Sequence, residues 1–589
     1  MKIVVANSVG VDQDGFHMVH VPSRWSLGVK NFTNCSYYPW QLAYTSTLLK
    51  RETSHEVKML DGVLHGWNFA AYFDKLAAEK PDWLIMESSS RTITEDLRLA
   101  VAAKKAFGTR LVFTGQHPTA NPEEVLKVAD YVCIGEYEYA VLELVQGKDP
   151  GQISGLYPNE RRNLLDIDSL PFPEDDDVRR IDYHEPNCRY RQIQMYASRG
   201  CPRRCNFCAA ATLYYDELNW RPRNVDSVVQ EIRQLKNKYP EMEGVFFDEE
   251  VHNIKKSFNI ALAKAIRTEG LNNLKYEAMC EYASLDEEAL EEMRKAGYYK
   301  IRVGVETGSD RVAECMTLGK KHDLAKMRKM LKFAKELGMV LYGTFTIGGL
   351  GSSVEEDQKT VDLIYELSSQ GILDEVQVSI NTPQPGTDFY ISAVNNSFIR
   401  PISDWAGFDG NGHVVVDYPH YKEKQIQEMF QKALTAFDRG KESFLAKSFT
   451  QAVGTSLSIP QTAKVLVLRS ARQWMIILIL EALHRYFGIK SDLLGQNMVY
   501  NELRSNPHAQ QVYSYGEGFF SAEYISSTLI GRLRDQQYDF ILVPMANNHL
   551  QGYQNVLDVA YQIQPKNLLG IFPDGTIQTL PILSVIEKV

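Results

Sequence analysis

The chain of 589 residues has only eight cysteines and no long apolar run. Eight thiols over this length cannot staple a fold, which excludes the disulfide framework of small secreted domains. The longest apolar stretch, from Trp474 to Leu480, is far short of the ~18 residues that a membrane-crossing helix needs. Positive charge is not in excess either. With 64 basic against 74 acidic residues and a formal charge of -10, nothing marks a nucleic-acid backbone as the main partner. From Met1 to Asn7 there is one lysine and a short apolar run before Ser8, Gly10 and Asp12, which is not a secretory pattern. The expectation is a cytoplasmic protein acting on a small molecule, with three or four domains at roughly 100 to 200 residues each.

Apolar periodicity organises what is there. Over the first 150 residues, short buried runs at 2–6, 57–60, 83–86, 111–113 and 131–134 alternate with helical segments at 41–51 and 93–106. Such alternation implies a parallel sheet covered on both faces, with ligands at the carboxyl ends of its strands. That rule gathers Glu87 to Ser90, Gly115 to Thr119 and Gly135 to Glu138 around one crevice. On pattern alone these segments serve equally well as connecting turns. A proline- and acid-rich stretch follows, Leu170 to Pro173 and then Glu174 to Asp177, which reads as a linker with a solvated acidic run.

From residue 192 the alternation resumes. Strands are expected at 192–197, 244–247, 276–280, 301–305, 340–347 and 376–380, with helices near 225–235, 256–268, 285–296, 322–337 and 354–369. Six such units are too few for a closed eight-stranded barrel but suit a partial one, whose working end is where the strands terminate. Beyond Pro401 the pattern turns helical over 422–449. A third α/β region begins at 464–468 and continues with a helix at 474–486, a strand at 540–543, a helix at 554–563 and a hairpin over 568–580 around Pro573, Asp574 and Gly575. It has no glycine fingerprint, phosphate loop or metal spacing, so no role follows for it.

Three of the eight cysteines, Cys201, Cys205 and Cys208, lie in one loop with Arg199, Gly200, Pro202, Arg203, Arg204, Asn206 and Phe207. At the chain's cysteine frequency this spacing arises by chance with a probability of roughly 0.0015. Thiolates this close suit zinc or an iron-sulfur cluster. A structural zinc takes four ligands, usually in two pairs, and no cysteine or histidine follows until His252. Three thiolates on a 4Fe-4S cluster leave one iron open for a substrate or cofactor. A zinc site completed from a distance and inert buried cysteines are the alternatives that the spacing leaves.

Cys-x3-Cys-x-aromatic-Cys, on the loop after the first strand of a partial six-unit barrel, resembles the radical S-adenosylmethionine (SAM) superfamily. Flanking segments are similar too: Phe246 to Glu250 after the second strand, Gly304 to Ser309 after the fourth, Gly348 to Leu350 after the fifth and Thr382 to Thr387 after the sixth. The last three resemble blocks of a subgroup whose members carry an N-terminal cobalamin-binding domain. Tyr38, Pro39, Gln41 to Tyr44, Gly115 to Thr119 and Gly135 to Glu138 resemble that domain's signature runs. The resemblance spans roughly residues 1–410. Two departures stand out. Gly348, Gly349, Leu350 and Gly351 lack the proline usual there, and the Asp-x-His-x-x-Gly signature of cobalt ligation by histidine is absent, His117 lying in a different loop context.

The resemblance implies an α/β chain: a Rossmann-like cobalamin-binding domain over 1–150, a linker over 151–188, a partial (β/α)6 radical SAM barrel over 189–400, a helical segment over 401–455 and an additional α/β domain over 456–589. It implies Cys201, Cys205 and Cys208 as ligands of a 4Fe-4S cluster. The implied SAM contacts are Phe207, Phe247, Asp248, Glu249, Glu250, Gly304, Glu306, Thr307 and Gly348. Those of cobalamin are Glu87, Ser88, Ser89, Gly115, His117, Thr119, Gly135 and Glu136. Phe247 to Glu250 would meet the methionine amino group; the plainer reading of this acidic set is a strand-to-helix turn with capping carboxylates.

The activity implied is methylation of an unactivated carbon, or of a phosphinate-type phosphorus, of a small-molecule substrate through a 5′-deoxyadenosyl radical. One SAM would methylate cobalt and a second would supply the radical, with the cofactors carrying the chemistry and the protein the placement. An electron donor such as flavodoxin or ferredoxin is implied, with no nucleic-acid partner and no membrane span. The scheme requires the carboxyl-end loops of the two α/β units to face each other. A radical SAM enzyme catalysing a cyclisation or rearrangement without methyl transfer is one alternative, and a non-enzymatic cluster- or zinc-binding protein is another. A methylthiotransferase calls for a second cysteine triplet, whereas the N-terminal region has only Cys35 and Cys133.

Overall fold

The structure, a computed structural model, describes residues 1–21, 25–30, 35–319, 322–401, 405–409, 413–518, 520–522, 524–546 and 553–581. The N-terminal region contains Lys2–Ala6 (β1), Phe16–Val21 (β2), Trp25–Lys30 (β3), Glu56–Leu60 (β4), Trp83–Glu87 (β5), Arg110–Thr114 (β6) and Tyr131–Val132 (β7). Its parallel sheet has the order β4-β1-β5-β6-β7. The order reverses between β1 and β5, so the loops after these two strands flank the ligand crevice expected of such a sheet. Ile3, Val5, Ile85 and Val112 pack toward the helix Trp40–Glu52, while Val4, Leu84, Met86 and Phe113 pack toward Phe69–Glu79 and Ile93–Phe107. Burial on both faces is why these strands show as unbroken apolar runs.

The antiparallel hairpin β2-β3 is an addition that the pattern did not reveal. It is inserted between β1 and the first helix, its histidines interrupt the alternation, and residues 22–24 between its strands lie outside the described residues.

The second region contains Gln192–Met195 (β8), Ser198–Arg199 (β9), Arg221–Pro222 (β10), Gly244–Phe247 (β11), Lys275–Glu281 (β12), Tyr298–Glu306 (β13), Val340–Ile347 (β14) and Glu375–Ile380 (β15). Six strands form one curled parallel sheet in the order β15-β14-β13-β12-β11-β8. The strand expected over 192–197 ends at Met195, and the β9-β10 pair frames the cysteine loop. Val245, Phe247, Ala278, Ile301, Val303, Leu341 and Val378 join the helices in one core. Alternation turns Gln194, Glu277, Arg302, Tyr342 and Glu375 to the inner face. There Arg302 pairs with Glu185 and Glu277, and Lys300 pairs with Glu277 at 3.1 Å and Glu375 at 2.6 Å, a buried charged floor to the lumen.

Residues 151–188 are not a free tether. Short 3-10 turns form at Pro150–Gln152, Ile167–Ser169 and Arg180–Asp182, of which the last two bury Ile167, Arg180 and Ile181. The acidic run expected to be solvated is partly buried: Glu174 accepts from Ser46 Oγ at 2.6 Å and pairs with Lys50 at the same distance. Arg180, also buried, pairs with Glu231 at 2.5 Å. An acidic run tells charge but not who answers it.

The helix Glu423–Ser456 leads to a third α/β unit made of Val465–Leu468 (β16), Ser491–Gly495 (β17), Ala509–Ser514 (β18), Phe540–Pro544 (β19), Asn567–Ile571 (β20) and Ile577–Thr579 (β21). The order is β18-β17-β16-β19-β20-β21, parallel except for the closing hairpin. Strands β17 and β18 were not expected, since their sequences, SDLLG and AQQVYS, carry too few apolar residues. Arg472, at the carboxyl end of β16, donates to the Val376 carbonyl on the barrel's edge strand at 3.1 Å. Among the described residues no helix is long and apolar enough to cross a membrane.

Candidate cluster and cofactor site

The cysteine loop leaves the sheet after β8. Gly200 has φ +89, and a Cβ there would stand 1.9 Å from Asn219 Oδ1, so only glycine makes this turn. Inside the loop the Cys208 N–H donates to the Cys205 carbonyl at 3.0 Å, and the Asn206 N–H donates to Met316 at 3.0 Å. Cys201, Cys205 and Cys208 are half-buried, whereas Cys133, Cys188 and Cys280 are sealed in the interior. Burial, then the neighbouring Cys208 sulfur, pushes the Cys201 thiol up to about 12, so it stays protonated until a metal displaces the proton. Among the described residues no three histidine, cysteine, aspartate or glutamate side chains gather as a single metal ion requires. A cluster differs: each thiolate takes its own iron, and three partly open cysteines on one loop suit it.

Carboxylates after β11 and β12 brace this loop. Glu249 is fully buried; its Oε2 accepts from the Ala197 N–H at 2.6 Å and its Oε1 from Ser198 Oγ at 3.2 Å. His252 Nδ1 lies 2.6 Å from Glu249, and its Nε2 lies 3.0 Å from the Tyr298 hydroxyl. Glu250 accepts from the Gly200 N–H at 3.1 Å and from the Tyr215 hydroxyl at 3.0 Å. Arg203, between the first two cysteines, pairs with Glu281 through Nε at 3.0 Å and Nη2 at 2.6 Å. Arg203, Tyr215, Glu281 and Tyr298 were not singled out from the sequence; an arginine inside the loop was the one available signal.

The residues expected to meet SAM divide. The Phe247 ring is buried in a stack with His252, Tyr276 and Tyr298 on the helix side of the sheet. Thr307 is buried, with its hydroxyl 3.1 Å from Thr360 Oγ1, and so serves the turn. The Gly348 N–H donates to Asp357 at 2.9 Å, and a Cβ there would meet Ile426 at 2.9 Å, so its glycine answers to the helix Glu423–Ser456. Glu249 and Glu250 are engaged as described. Phe207 is partly buried against Val312, Ala313, Met316 and Leu318. Asp248, Gly304 and Glu306 fall on the inner face, and the Asp248 charge reaches Cys35 and Tyr37. Glu306 has φ +72 beside a register shift in β13, an uncommon conformation for glutamate that re-aims its side chain.

The residues expected to meet cobalamin divide as well. Ser88 Oγ donates to Asp96 at 2.7 Å, and Ser89 is tied to Ser26 on the hairpin, so both serve the protein's own packing. Burial pushes Asp96 up to about 6, against the hydrogen bonds from Ser88, Val9, Ser8 and Thr92. At Gly115, φ +100, a Cβ would meet the Ser88 carbonyl at 2.7 Å. Thr119 Oγ1 accepts from the Gly135 N–H at 3.2 Å, and His117 Nδ1 lies 3.0 Å from Ser90 Oγ. The Glu136 carboxylate is taken by Arg199 at 3.2 Å and Arg221 at 2.8 Å, which tie this region to the barrel. Ionic partners arriving from 63 and 85 residues away were not visible in the motif.

Glu87 stands apart. Burial pushes its carboxyl up to about 8, partly offset by the Tyr137 hydroxyl, and neither oxygen makes a well-formed hydrogen bond. Thr114 Oγ1, Gln116 Oε1, Glu138 Oε2 and the Tyr214 hydroxyl are also buried without a hydrogen-bond partner. Orphaned polar atoms of this kind call for a missing partner. A corrinoid rim of amides, able to donate and to accept, supplies the chemistry that they lack.

The two sets of loops lie together. Gln116 Nε2 donates to Gln384 Oε1 at 2.8 Å, beyond the carboxyl end of β15. Arg161 donates to the carbonyls of Leu213 and Tyr214, just past Cys208, and a Cβ at Gly386 would touch both Leu213 and Ala120. The crevice loops of the N-terminal sheet therefore face the same mouth of the barrel as the cysteine loop.

Two family models match the chain: that of the radical SAM superfamily over residues 195–364 and that of the B12 binding domain over residues 36–145. An uncharacterized methyltransferase of Pyrococcus horikoshii is 26% identical over 426 residues, covering 69% of this chain and 89% of that protein. The bacteriochlorophyllide d C-8(2)-methyltransferase of Chlorobaculum tepidum is 22% identical over 411 residues, covering 66% of this chain and 84% of that protein. Among solved structures, the cobalamin-dependent S-adenosylmethionine radical enzyme OxsB, with aqua-cobalamin and S-adenosylmethionine bound, superposes with a TM-score of 0.56 at 14% identity, over 96% of this chain and 78% of that one. At that identity the likeness is one of fold.

Proposed function

We propose, from the premise that this chain is a radical SAM enzyme carrying a B12-binding domain, that it transfers a methyl group from SAM to an unactivated carbon, or to a phosphinate-type phosphorus, of a small molecule. The observation that carries the reading is the hydrogen bond between Gln116 and Gln384, which ties the crevice of one α/β unit to the mouth of the other. The methyltransferases of related sequence favour methyl transfer over other radical chemistry. When bound, the 4Fe-4S cluster supplies the electron that splits SAM into methionine and a 5′-deoxyadenosyl radical, and cobalamin supplies the methyl carrier.

The chain's own residues place and insulate. Cys201, Cys205 and Cys208 hold the cluster. Asp248 and Glu306, on the inner face, accept hydrogen bonds from the polar groups of SAM. Glu87, neutral at physiological pH, donates a proton in a hydrogen bond to a cofactor amide. The ion-paired floor formed by Glu185, Glu277, Lys300, Arg302 and Glu375 closes the lumen against water from below. A small reducing protein such as flavodoxin or ferredoxin delivers the electron.

The test is anaerobic reconstitution with iron, sulfide and cobalamin, followed by incubation with candidate small molecules and SAM labelled with deuterium in its methyl group. Labelled methyl in the product, with 5′-deoxyadenosine formed alongside, is the expected result. Formation of 5′-deoxyadenosine with an unlabelled, rearranged product would move the enzyme to the non-methylating class. Bound zinc without iron would remove radical chemistry altogether.

A further inference from the structure

The two ends of the cysteine loop meet on a single side chain. Gly200, immediately before Cys201, and Tyr215, beyond Cys208, both donate to Glu250, one to each carboxylate oxygen, at 3.1 and 3.0 Å. The direction of the Gly200 N–H is fixed by its left-handed backbone, which Asn219 crowds. A carboxylate held in this way acts as a clasp across the segment that carries all three thiols.

It also carries charge. Both of its donors are neutral groups, an amide and a phenol, so neither cancels the carboxylate's negative charge. Glu281, the other carboxylate flanking the loop, is answered by the bidentate guanidinium of Arg203. The Gly200 N–H that Glu250 accepts belongs to the residue next to Cys201, so this carboxylate, which no cation among the described residues answers as Arg203 answers Glu281, lies beside the first ligand of the loop.

We propose that Glu250 is a positioning residue for the iron-sulfur cluster: it closes the ligand loop at both ends, sets a negative charge beside Cys201 and thereby lowers the cluster's reduction potential, without contacting SAM. The inference rests on the cluster reading above. Reduction adds an electron to a centre already bearing thiolate charge, and a nearby carboxylate disfavours the more negative state. A reduced cluster held at low potential is the stronger donor to the carbon-sulfur bond of SAM. Glu250 thus acts on the electron rather than on the cofactor that receives it.

The experiment is an EPR-monitored redox titration of the reconstituted full-length protein, run beside iron analysis and direct SAM binding. Glu250→Gln keeps the shape and loses the charge. The expected result is native iron content, a midpoint shifted to more positive potential and unchanged SAM affinity. Tyr215→Phe loses one tie but keeps the charge, and its midpoint should stay near that of the parent. Glu250→Ala loses both charge and clasp, and should lower iron occupancy as well as raise the potential of the cluster that remains. An unshifted potential at full occupancy in Glu250→Gln and Glu250→Ala overturns the inference. So does a loss of SAM affinity of more than about tenfold at unchanged potential, which would make Glu250 a cofactor contact. A parent protein that takes up cobalamin and SAM but shows no 4Fe-4S signal defeats the cluster reading itself, and this inference with it.

Discussion

Gln116 and Gln384 stand 268 residues apart in the chain and are joined by one buried hydrogen bond of 2.8 Å. Gln384 passes the connection on, its Nε2 donating to the Phe408 carbonyl at 3.1 Å. Replacing Gln384 by leucine leaves Gln116 Nε2 and the Phe408 carbonyl without this partner in the interior, at a cost of about 1 to 3 kcal/mol for each orphaned group. Because the bond spans the two cofactor units, the expected outcome is uncoupling. 5′-Deoxyadenosine should still form while methylated product falls, and the ratio of the two by mass spectrometry checks it.

Serine in place of Cys201, Cys205 or Cys208 keeps the loop's shape and removes a soft ligand. Each single change should cut iron content, abolish the visible absorption of protein reconstituted with iron and sulfide alone, and stop cleavage of SAM. The same change at Cys133, sealed in the core of the N-terminal sheet, should leave iron content at the parent's level.

Arg199 is buried to 2% side-chain exposure between Glu136 and Glu138, with N–O distances of 3.2 and 2.7 Å. Arg199→Met leaves two buried carboxylates short of a cation, and the loss should be about 3 to 5 kcal/mol. Glu138→Gln added to it should recover part of that loss. Denaturant midpoints of the three proteins measure both effects.

Glu87 gives a pH prediction. Its ordinary value is 4.5, and burial raises it to about 8 in the folded chain, so the folded state holds a proton that the unfolded state has released. This contribution to stability is complete below about pH 4.5 and is lost as pH rises through 8. Glu87→Gln, neutral throughout, removes the loss. The variant should match the parent near pH 5 and exceed it by at least about 2 °C in melting temperature near pH 9, as thermal scans across that range would show.

What the sequence disclosed was decided by who a residue's partners are. Ile3, Ile85 and Ile301 answer to local burial, so the strand pattern disclosed them. The cysteine triplet was plain because its chemistry lies within one loop. Glu249, Glu250 and Glu136 were harder, since their tasks depend on Ala197, Gly200 and Arg199, which folding brings in from 50 or more residues away. Phe247 shows how position in a motif and position in space are separate questions: strand parity turns its ring to the helices, onto His252, Tyr276 and Tyr298. The hairpin Phe16–Val21 and Trp25–Lys30 escaped notice because His17 and His20 spoil its apolar alternation.

The curled sheet of the barrel is open, and an open sheet has borders. Strand Glu375–Ile380 is one of them, and a border strand offers carbonyl and amide groups to any other chain that can line up with it. Arg472 occupies one such carbonyl, at Val376, and it is delivered by the third α/β unit. That unit, which no motif explained, therefore takes up part of the hydrogen-bonding capacity that this border would otherwise offer to another chain.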